Sequence, residues 1–324
     1  MKAKQAIDEI SHLTSKGFRI RTYEPPPEGF NPLTAAPSLL LHHGFPARPD
    51  PKESPQMRKA WEEKFSRPRT WITPVFRELE GRSHGAALKS GDGSLKKPTG
   101  LAKIADATSS NWSGSVAFAP AGRTFGWIEG EWTVPNPHAP SFGNFYASEW
   151  VGIDGWGSPD VLQAGTETEI LDIGILKASQ IYAWWEWFPS GEVAISNLPV
   201  SPGDLMYCLI CVNSNTTATV YLTNESSLIS THFSITAPAG TVLTGNSAEW
   251  VVERPTVNGA LTSLSDYKAV YFDEGIAGLT GTPFQIVTLG SGTPVTMTGN
   301  NNASLSSPIL ETSQIMKVDW LKAS

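Results

Sequence analysis

The feature that most constrains the fold is a series of short strand-like runs that begins after residue 108. Each run spans four to nine residues, is rich in aromatic and β-branched side chains, and is bounded by Gly, Pro, Asn or Ser. The eight clearest runs cover residues 126–134, 148–154, 181–188, 205–212, 218–223, 248–253, 269–272 and 295–298. Because this region has neither a sustained 3.6-residue apolar stripe nor a fixed-period repeat, it predicts an all-β antiparallel sandwich or barrel.

Residues 1–108, which we call the leader, differ in charge from residues 109–324, which we call the body. The leader holds 18 of the 24 Lys and Arg residues and 12 of the 31 Asp and Glu residues, so its charge is +6 and that of the body is −13. We expect the two parts to attract each other. An acidic body repels nucleic acid and anionic membranes, and it loses self-repulsion as its carboxylates protonate in acid.

The N-terminus carries charges but no apolar segment of the signal-peptide kind, and no run of eighteen apolar residues occurs in the chain. The sequence therefore predicts neither a transmembrane helix nor a recognisable secretory signal. Ile7, Ile10 and Leu13 form a short apolar stripe, which predicts a helix over residues 6–13.

The rest of the leader is expected to be irregular and partly helical. A second helix is predicted over residues 54–65, since Ser54 can act as N-cap and Pro55 suits the first helical position. Consecutive prolines exclude a helix within residues 21–32. The Gly-, Ser- and Lys-rich residues 82–100 predict an exposed, cleavable linker, so we place the boundary between leader and body near residue 108.

Most standard hydrolytic chemistries lack their motifs in this chain. There is no G-x-S-x-G, H-E-x-x-H, P-loop or D-[ST]-G motif, and the body has only His138 and His232 to serve as bases or ligands. Cys208 and Cys211 lie three residues apart in a predicted strand, so their thiols point to opposite faces and are expected to be buried and structural. We therefore expect no cofactor and no metal, and a chemistry of carboxylates, amides and hydroxyls.

Strand parity places two carboxylates among side chains typical of a core. In residues 181–188, Glu186 shares its face with Tyr182, Trp184 and Phe188. In residues 247–253, one face carries Ser247, Glu249, Val251 and Glu253, and the other carries Ala248, Trp250 and Val252. Glu249 therefore lies on a mixed face that can form the floor of a groove.

Five segments of the body form an ordered set. They are N-W-S-G at 111–114, E-W-V-G-I-D-G-W-G at 149–157, L-Q-A-G at 162–165, Y-A-W-W-E-W-F at 182–188 and S-A-E-W-V-V-E-R at 247–254. Together they resemble the glutamic peptidase (eqolisin) family, acid-acting endopeptidases with a Gln/Glu dyad on a two-sheet β-sandwich. The resemblance covers essentially the whole body and implies a jelly-roll-like antiparallel sandwich. The leader is similar in composition to the propeptide of such enzymes, which implies synthesis as a zymogen.

The resemblance also implies roles for individual residues. The family's catalytic glutamine falls on Gln163 and its catalytic glutamate on Glu249. Its supporting cleft residues fall on Trp150, Asp154 and Glu186, and Trp112 is a further candidate for the cleft wall. The spacer between Gln163 and Glu186 differs from the better-known fungal pattern in ways that affect the loop geometry beside the cleft.

Such a dyad is chemically sufficient for amide hydrolysis. A glutamate can deprotonate water and then protonate the departing nitrogen, while the uncharged amide of a glutamine can donate a hydrogen bond to the oxyanion. Asp154 and Glu186 are expected to hold the dyad by hydrogen bonds, and Trp150 to exclude water. Glu253, on the same strand face as Glu249, is expected to matter much less.

The implied partners are protein or peptide substrates and the chain's own leader, acting as an intramolecular inhibitor of a monomeric enzyme. The resemblance implies secretion or an acidic extracytoplasmic compartment, although no signal peptide is visible. Two other hypotheses fit the residues. One is a carbohydrate-binding or glycosidase sandwich with a Trp-lined groove, in which Glu249 and Glu186 would be the paired carboxylates. The other is a silent relative that never sheds its leader.

Overall fold

The computed structural model describes residues 11–52, 55–88, 107–174, 176–281 and 284–324. The helices are α1 Pro37–His42 and α2 Pro55–Phe65, with 3₁₀ turns at Leu289–Ser291 and Asn300–Asn302. The strands, in chain order, are β1 Ser11–Leu13, β2 Arg19–Thr22, β3 Thr70–Ile72, β4 Phe76–Glu78, β5 Arg82–Ser83, β6 Ala107–Ser109, β7 Trp112–Phe118, β8 Phe125–Thr133, β9 Phe145–Asp154, β10 Val161–Asp172, β11 Lys177–Phe188, β12 Val193–Ile195, β13 Leu205–Ser214, β14 Thr217–Asn224, β15 Ile229–Thr236, β16 Ser247–Glu253, β17 Thr256–Val257, β18 Ala260–Leu261, β19 Ala269–Leu279, β20 Gln285–Thr288, β21 Thr293–Thr298, β22 Ser304–Leu310 and β23 Met316–Trp320.

The body folds into two antiparallel layers that face each other, as predicted. The first layer has the strand order β12-β11-β10-β9-β16-β7-β21. The second has the order β23-β19-β8-β13-β14-β15. Strand β22 pairs with both β21 and β23, so it joins the layers at one edge. A small separate sheet contains β5, β17 and β18.

The main core lies between the two layers and is built from their inward-facing side chains. Trp132, Trp185 and Trp250 are among its largest members, and all three are fully buried. The indoles also tie the layers together, since Trp250 Nε1 donates to the carbonyl oxygen of Glu129 at 2.8 Å. Alternation along each strand therefore leaves the opposite, outward face of each layer to be covered by something else.

The leader covers both outward faces. Helices α1 and α2 place Leu40, Trp61 and Phe65 against Tyr207 and Tyr221 on the outer face of the second layer. The leader also adds strands to the layers: β2 pairs antiparallel with β15, β3 pairs parallel with β15, and β4 pairs antiparallel with β12. These strands are a feature that the irregular local sequence of the leader did not reveal.

Several local predictions can be compared with the structure. All eight predicted runs coincide with strands, and only the run 126–134 extends past its strand, by Val134. Helix α2 begins at Pro55, while Ser54 lies outside the described residues. The predicted helix over residues 6–13 is wrong where the structure describes it, because residues 11–13 form strand β1 and pair with β2. Three residues of apolar stripe cannot outweigh that pairing.

Two further predictions concern the body. Cys208 lies in the main core and Cys211 packs against the cluster on the outer face, so the two thiols diverge as expected. The spacer between Gln163 and Glu186 is mostly strand, since β10 continues to Asp172 and β11 begins at Lys177. Within the described ranges, no helix is long and apolar enough to cross a membrane.

Candidate active site

Four neighbouring strands of the first layer bring the predicted dyad into one row. Gln163 on β10 is in register with Glu186 on β11 and with Gly152 on β9, and Gly152 is in register with Glu249 on β16. Residues directly opposite each other on neighbouring strands project from the same face of a sheet. Gln163, Glu186 and Glu249 therefore share the outward face of the first layer, away from the main core.

Gly152 leaves space between the two members of the dyad. A Cβ atom at this position would lie 2.8 Å from Cζ3 of Trp150 and 3.2 Å from Cβ of Gln163. The α-carbons of Gln163 and Glu249 are two strand spacings apart, about 10 Å. Their side chains can thus approach one peptide group from its two sides, because Gly152 adds no side chain of its own where the Trp150 indole packs over the strand.

Glu249 is a fully buried carboxylic acid. Neither of its carboxylate oxygens has a hydrogen-bond partner among the described residues. Burial raises the pKa of Glu249 well above its ordinary value, the charge of Asp154 raises it further, and the nearby Ser247 hydroxyl opposes the shift only in part. In these surroundings the carboxyl group holds its proton, and it can act as a general base only when its surroundings favour the ionised form.

Gln163 is also fully buried, and its amide contacts the leader. The Nε2 group donates a hydrogen bond to the carbonyl oxygen of His84. The other amide atom, Oε1, has no hydrogen-bond partner within the part of the chain that the structure describes. The side chain predicted to bind an oxyanion therefore binds a peptide carbonyl oxygen.

Residues 82–88 lie along the outward face of the first layer, and this face with its covering residues is called the cleft below. The amide of His84 donates to Glu186 Oε2 at 2.6 Å, and the Ser83 hydroxyl donates to Glu186 Oε1 at 2.8 Å. The indole Nε1 of Trp112 donates to the carbonyl oxygen of Gly85 at 3.1 Å.

The prediction of an exposed linker is thus wrong for residues 82–88, apart from exposed Leu88, because polar groups of the body satisfy their backbone. Residues 89–106 lie outside the described residues.

The predicted supporting carboxylates do not contact the dyad by hydrogen bonds. Asp154 instead accepts hydrogen bonds from the backbone amides of Thr244, Gly245 and Asn246 at 2.7 to 3.0 Å, which fixes the loop that leads into β16. Glu186 binds Ser83, His84 and the amide of Gly191. Burial raises the pKa of Glu186 to about 8, although these donors favour the ionised form and lower the pKa in part.

The predicted tryptophans form a wall of the cleft. Trp112 and Trp150 are fully buried, and their rings meet edge to face with centroids 4.9 Å apart. Trp156 packs against Trp112 on the other side. The wall excludes water from the row that contains the dyad, so charges there are poorly screened.

Glu253 is part of the cleft, contrary to the expectation that it would matter little. Its Oε1 atom accepts hydrogen bonds from Asn111 Nδ2 at 3.0 Å and from the amide of Gly85 at 3.2 Å, while Oε2 accepts from Trp150 Nε1 at 3.0 Å. Burial raises the pKa of Glu253 well above its ordinary value. Strand parity already placed Glu253 on the face of Glu249, and this signal could have identified it.

His84, Ser83 and Gly152 are the other cleft residues that sequence reasoning missed. Gly152 could have been singled out only from the register of three strands, and His84 only from the path of the leader. Among the described residues, no group of three or more His, Cys, Asp or Glu side chains is arranged to hold a metal ion. The arrangement therefore offers acid–base chemistry at a carboxyl group together with an amide donor.

Comparison with known proteins agrees with this geometry. The sequence profile of the Peptidase A4 family matches residues 110–320. Aspergillopepsin-2 of Aspergillus niger is 27% identical over 187 residues, which span 51% of this chain and 62% of that protein, so the match leaves more than a third of the relative uncovered.

Two solved structures share the fold. Scytalido-glutamic peptidase with a transition-state analogue inhibitor superposes with a TM-score of 0.55 at 20% identity, over 65% of this chain and 98% of that one. SCP-B, an eqolisin in complex with the tripeptide Ala-Ile-His, has a TM-score of 0.51 at 22% identity over the same shares. With the family profile spanning most of the body, the chain belongs to the Peptidase A4 family, the glutamic peptidases.

Proposed function

We propose that this protein is an acid-acting endopeptidase in which Glu249 and Gln163 form the catalytic dyad and the leader keeps the enzyme inactive until it is removed. One observation carries the proposal. The amide of Gln163 binds the His84 carbonyl oxygen, while Glu249, buried and without a hydrogen-bond partner among the described residues, lies across Gly152 from it. A carbonyl oxygen held in this way is the atom that becomes the oxyanion when water adds to the carbonyl carbon.

Hydrolysis follows from these two groups. Ionised Glu249 takes a proton from water, the hydroxide adds to the peptide carbonyl carbon, and Gln163 donates its hydrogen bond to the oxygen that becomes negative. Glu249 then gives the proton to the nitrogen as the carbon–nitrogen bond breaks. The products are a carboxylic acid and an amine, so no further reactant is needed.

Burial under the leader keeps Glu249 from acting as a base in acid. Its pKa is raised well above 4.5 in this state, so the carboxyl group is protonated where an acid peptidase works. Removal of residues 82–88 would admit water, reduce the cost of burying the charge and lower the pKa toward its ordinary range. The same event would thus open the cleft and provide the ionised base.

Ion pairs between leader and body support the zymogen part of the proposal. Lys64 of helix α2 contacts Glu129 at 2.9 Å and Glu274 at 2.8 Å, and Arg82 forms a two-pronged pair with Glu169. All the cations belong to the leader and all the anions to the body. The opposite overall charges of the leader, +6, and the body, −13, therefore form specific ion pairs between the two.

Acid would weaken part of this attachment. Burial raises the pKa of Glu274, but Lys64, Arg67 and Arg69 together outweigh burial and hold the pKa below 4.5. A carboxylate whose pKa is depressed contributes stability above its unfolded value, and this contribution is lost as the pH falls through the depressed pKa. The Lys64–Glu274 contact therefore strengthens the attachment of the leader near neutrality, and this contribution is lost in strong acid. We infer that an acidic extracytoplasmic compartment is where the enzyme works.

The carbohydrate hypothesis is less well supported. Glu186 and Glu249 are three strand spacings apart, about 14 Å between α-carbons, and Gln163 lies between them in the row, so they are not arranged as the adjacent carboxyl pair of a glycosidase. Glu186 is also engaged by Gly191 in the connection to β12, on the side of β11 away from Glu249. The cleft tryptophans are packed against each other and against the leader.

The test is incubation of the purified full chain over a series from about pH 3 to about pH 8, with intact mass and digestion of an acid-denatured protein as readouts. We expect the leader to be lost and the substrate to be cut in acid. Glu249→Gln should reduce both by a factor of about 10²–10⁴, while Glu311→Gln, an exposed carboxylate remote from the row, should behave as wild type. Full acid proteolysis by Glu249→Gln would end the proposal.

A further inference from the structure

The backbone of the leader residues in the cleft contacts the groups that would bind a substrate. The inference drawn from these contacts rests on the proposed function. Gln163 Nε2 binds the His84 carbonyl oxygen, Glu186 accepts from the His84 amide at 2.6 Å, and Glu253 accepts from the Gly85 amide at 3.2 Å. The peptide group between His84 and Gly85 is thus held at both its oxygen and its nitrogen. His84 occupies the position of the residue that precedes a scissile bond.

The His84 side chain fills a pocket of defined chemistry, which we call the imidazole pocket. Its ring is fully buried and stacks on the indole of Trp184, with centroids 3.7 Å apart and planes inclined by 12°. Nε2 lies 3.4 Å from Glu192 Oε2 and 3.7 Å from Glu167 Oε2, and Nδ1 lies 3.8 Å from Glu253 Oε2. The ring thus has an aromatic surface below it and carboxyl groups at both nitrogens.

The carboxyl groups of this pocket have few other partners. Both oxygens of Glu167, Oε1 of Glu192 and both ring nitrogens of His84 lack a hydrogen-bond partner among the described residues, although all three residues are buried. The nitrogens therefore face the carboxyl groups at 3.4 to 3.8 Å without forming hydrogen bonds in this state. Burial, followed by the charge of Glu192, raises the pKa of Glu167 well above its ordinary value. Buried polar groups without partners are costly, so a ligand that brings hydrogen-bonding nitrogen atoms between them is favoured over one that does not.

We propose that the imidazole pocket, formed by Trp184, Glu167 and Glu192, is the specificity subsite for the residue before the scissile bond, that it selects histidine, and that His84–Gly85 is the bond the enzyme cuts in its own chain.

The shape and polarity of the pocket explain the choice. A phenylalanine ring could stack on Trp184 but would place carbon atoms, which cannot form hydrogen bonds, opposite the carboxyl groups. A lysine could reach the carboxyl groups but has no flat ring to stack, and alanine would leave the pocket unfilled. Imidazole supplies both the ring and the polar nitrogen atoms.

Cutting at this bond follows the hydrolysis described above. Water adds to the His84 carbonyl carbon, the bond to the Gly85 nitrogen breaks, and the proton taken by Glu249 goes to that nitrogen. One product ends in the His84 carboxyl group, and the other begins with the Gly85 amine.

Two measurements test the inference. First, the acid-processed enzyme is given four peptides that differ only in the residue before the scissile bond, which is His, Phe, Lys or Ala. We expect kcat/KM for the His peptide to exceed each of the others at least about tenfold, since a site with buried polar groups rejects analogues that cannot pair with them. Glu192→Gln should reduce this ratio several-fold, and Glu311→Gln should leave it unchanged.

Second, intact mass of the acid-treated full chain should show a first fragment that begins at Gly85, and His84→Ala should slow this cut. Equal cleavage of the His and Ala peptides, or a first cut elsewhere with His84→Ala processed at the wild-type rate, would overturn the inference while leaving the peptidase intact. The absence of any cleavage at any pH would overturn the proposed function and this inference with it.

Discussion

The two outward faces of the sandwich are covered by the same leader but in different ways. On the second layer, helices α1 and α2 cover an apolar surface, and rings of Phe45, Phe65 and Tyr221 pack with centroids 5.4 to 5.8 Å apart. On the first layer, residues 82–88 contact the body largely through backbone hydrogen bonds to Glu186, Glu253 and Gln163. The leader is held on one face by hydrophobic burial and on the other by hydrogen bonds to polar groups of the candidate active site.

This difference separates attachment from inhibition. Hydrophobic burial depends little on pH, so the helices can keep the leader attached over a wide range. The contacts in the cleft are hydrogen bonds between a short backbone segment and body side chains, so they can be rearranged while the helices stay in place. The leader can therefore remain attached at one face while its residues at the other are cut.

Phe65→Ala should give the largest effect. It removes a buried ring from the interface of α2 with the second layer, and such truncations cost about 3–5 kcal/mol. In a Glu249→Gln background, which prevents self-cleavage, we expect trypsin to cut after Arg67 or Arg69 much faster at neutral pH than in the parent. Leu41→Ala, at a side chain of α1 that is 72% exposed, is the control and should leave the rate unchanged. If both variants are equally protected, the helices do not anchor the leader.

Gln163→Ala should act on the other face and on activity. Loss of an oxyanion donor typically reduces turnover by a factor of about 10²–10³, equivalent to about 3–4 kcal/mol. The effect should fall on kcat of the processed enzyme, and the melting temperature should change little. Gln180→Ala, at an exposed position on the neighbouring strand, is the matched control. Normal turnover in Gln163→Ala would remove the amide from the mechanism.

Gly152→Ala tests whether the gap between the dyad residues is required. The added methyl group would lie 2.8 Å from Trp150 and 3.0 Å from the carbonyl oxygen of Leu162. Overpacking of this kind costs about 1–3 kcal/mol, and it would also displace Gln163. We expect a lower melting temperature together with a lower kcat. A variant that keeps full kcat would show that the space is not needed.

The smallest expected effect concerns the pH dependence of stability. Glu131, on the outer face of the second layer, has its pKa raised to about 7, first by burial and then by the charges of Glu274 and Glu225. A raised acid pKa stabilises the folded state at low pH, and this stability is lost as the pH rises from about 4.5 to about 7. In the Glu249→Gln background, Glu131→Gln should therefore reduce the fall in melting temperature between about pH 5 and about pH 8 by a few degrees. An unchanged fall would show that Glu131 is ionised throughout.

Much of the fold and part of the site could be predicted from the sequence. The alternation of Glu249 with Trp250 correctly assigned the two faces of β16, because a strand buried on one side fixes the direction of every side chain. The ordered motifs singled out Gln163, and the structure places this residue in the row with Glu249, although its strand was not among the predicted runs. Both results depend on local pattern, which a sequence displays directly.

The rest depended on contacts between distant segments. The row through Gly152 exists only once β10, β9 and β16 are paired in a particular register. His84 was placed in a linker because glycine, serine and lysine are typical of exposed chain, yet four body side chains bind or stack on this short segment. Composition cannot indicate such partners. Glu253 was undervalued for the same reason, since its role depends on Asn111, Trp150 and Gly85.

The row through Gly152 also links catalysis to folding. A strand has two faces and no intermediate position, so a slip of β16 by one residue would turn Glu249 into the main core and Trp250 into the cleft. Such a slip would move an acid into the apolar main core and take the largest side chain of the strand out of that core at once. The pairing that produces a stable sandwich is therefore the same pairing that brings the proposed dyad into one row, so correct folding of this strand also fixes the position of Glu249.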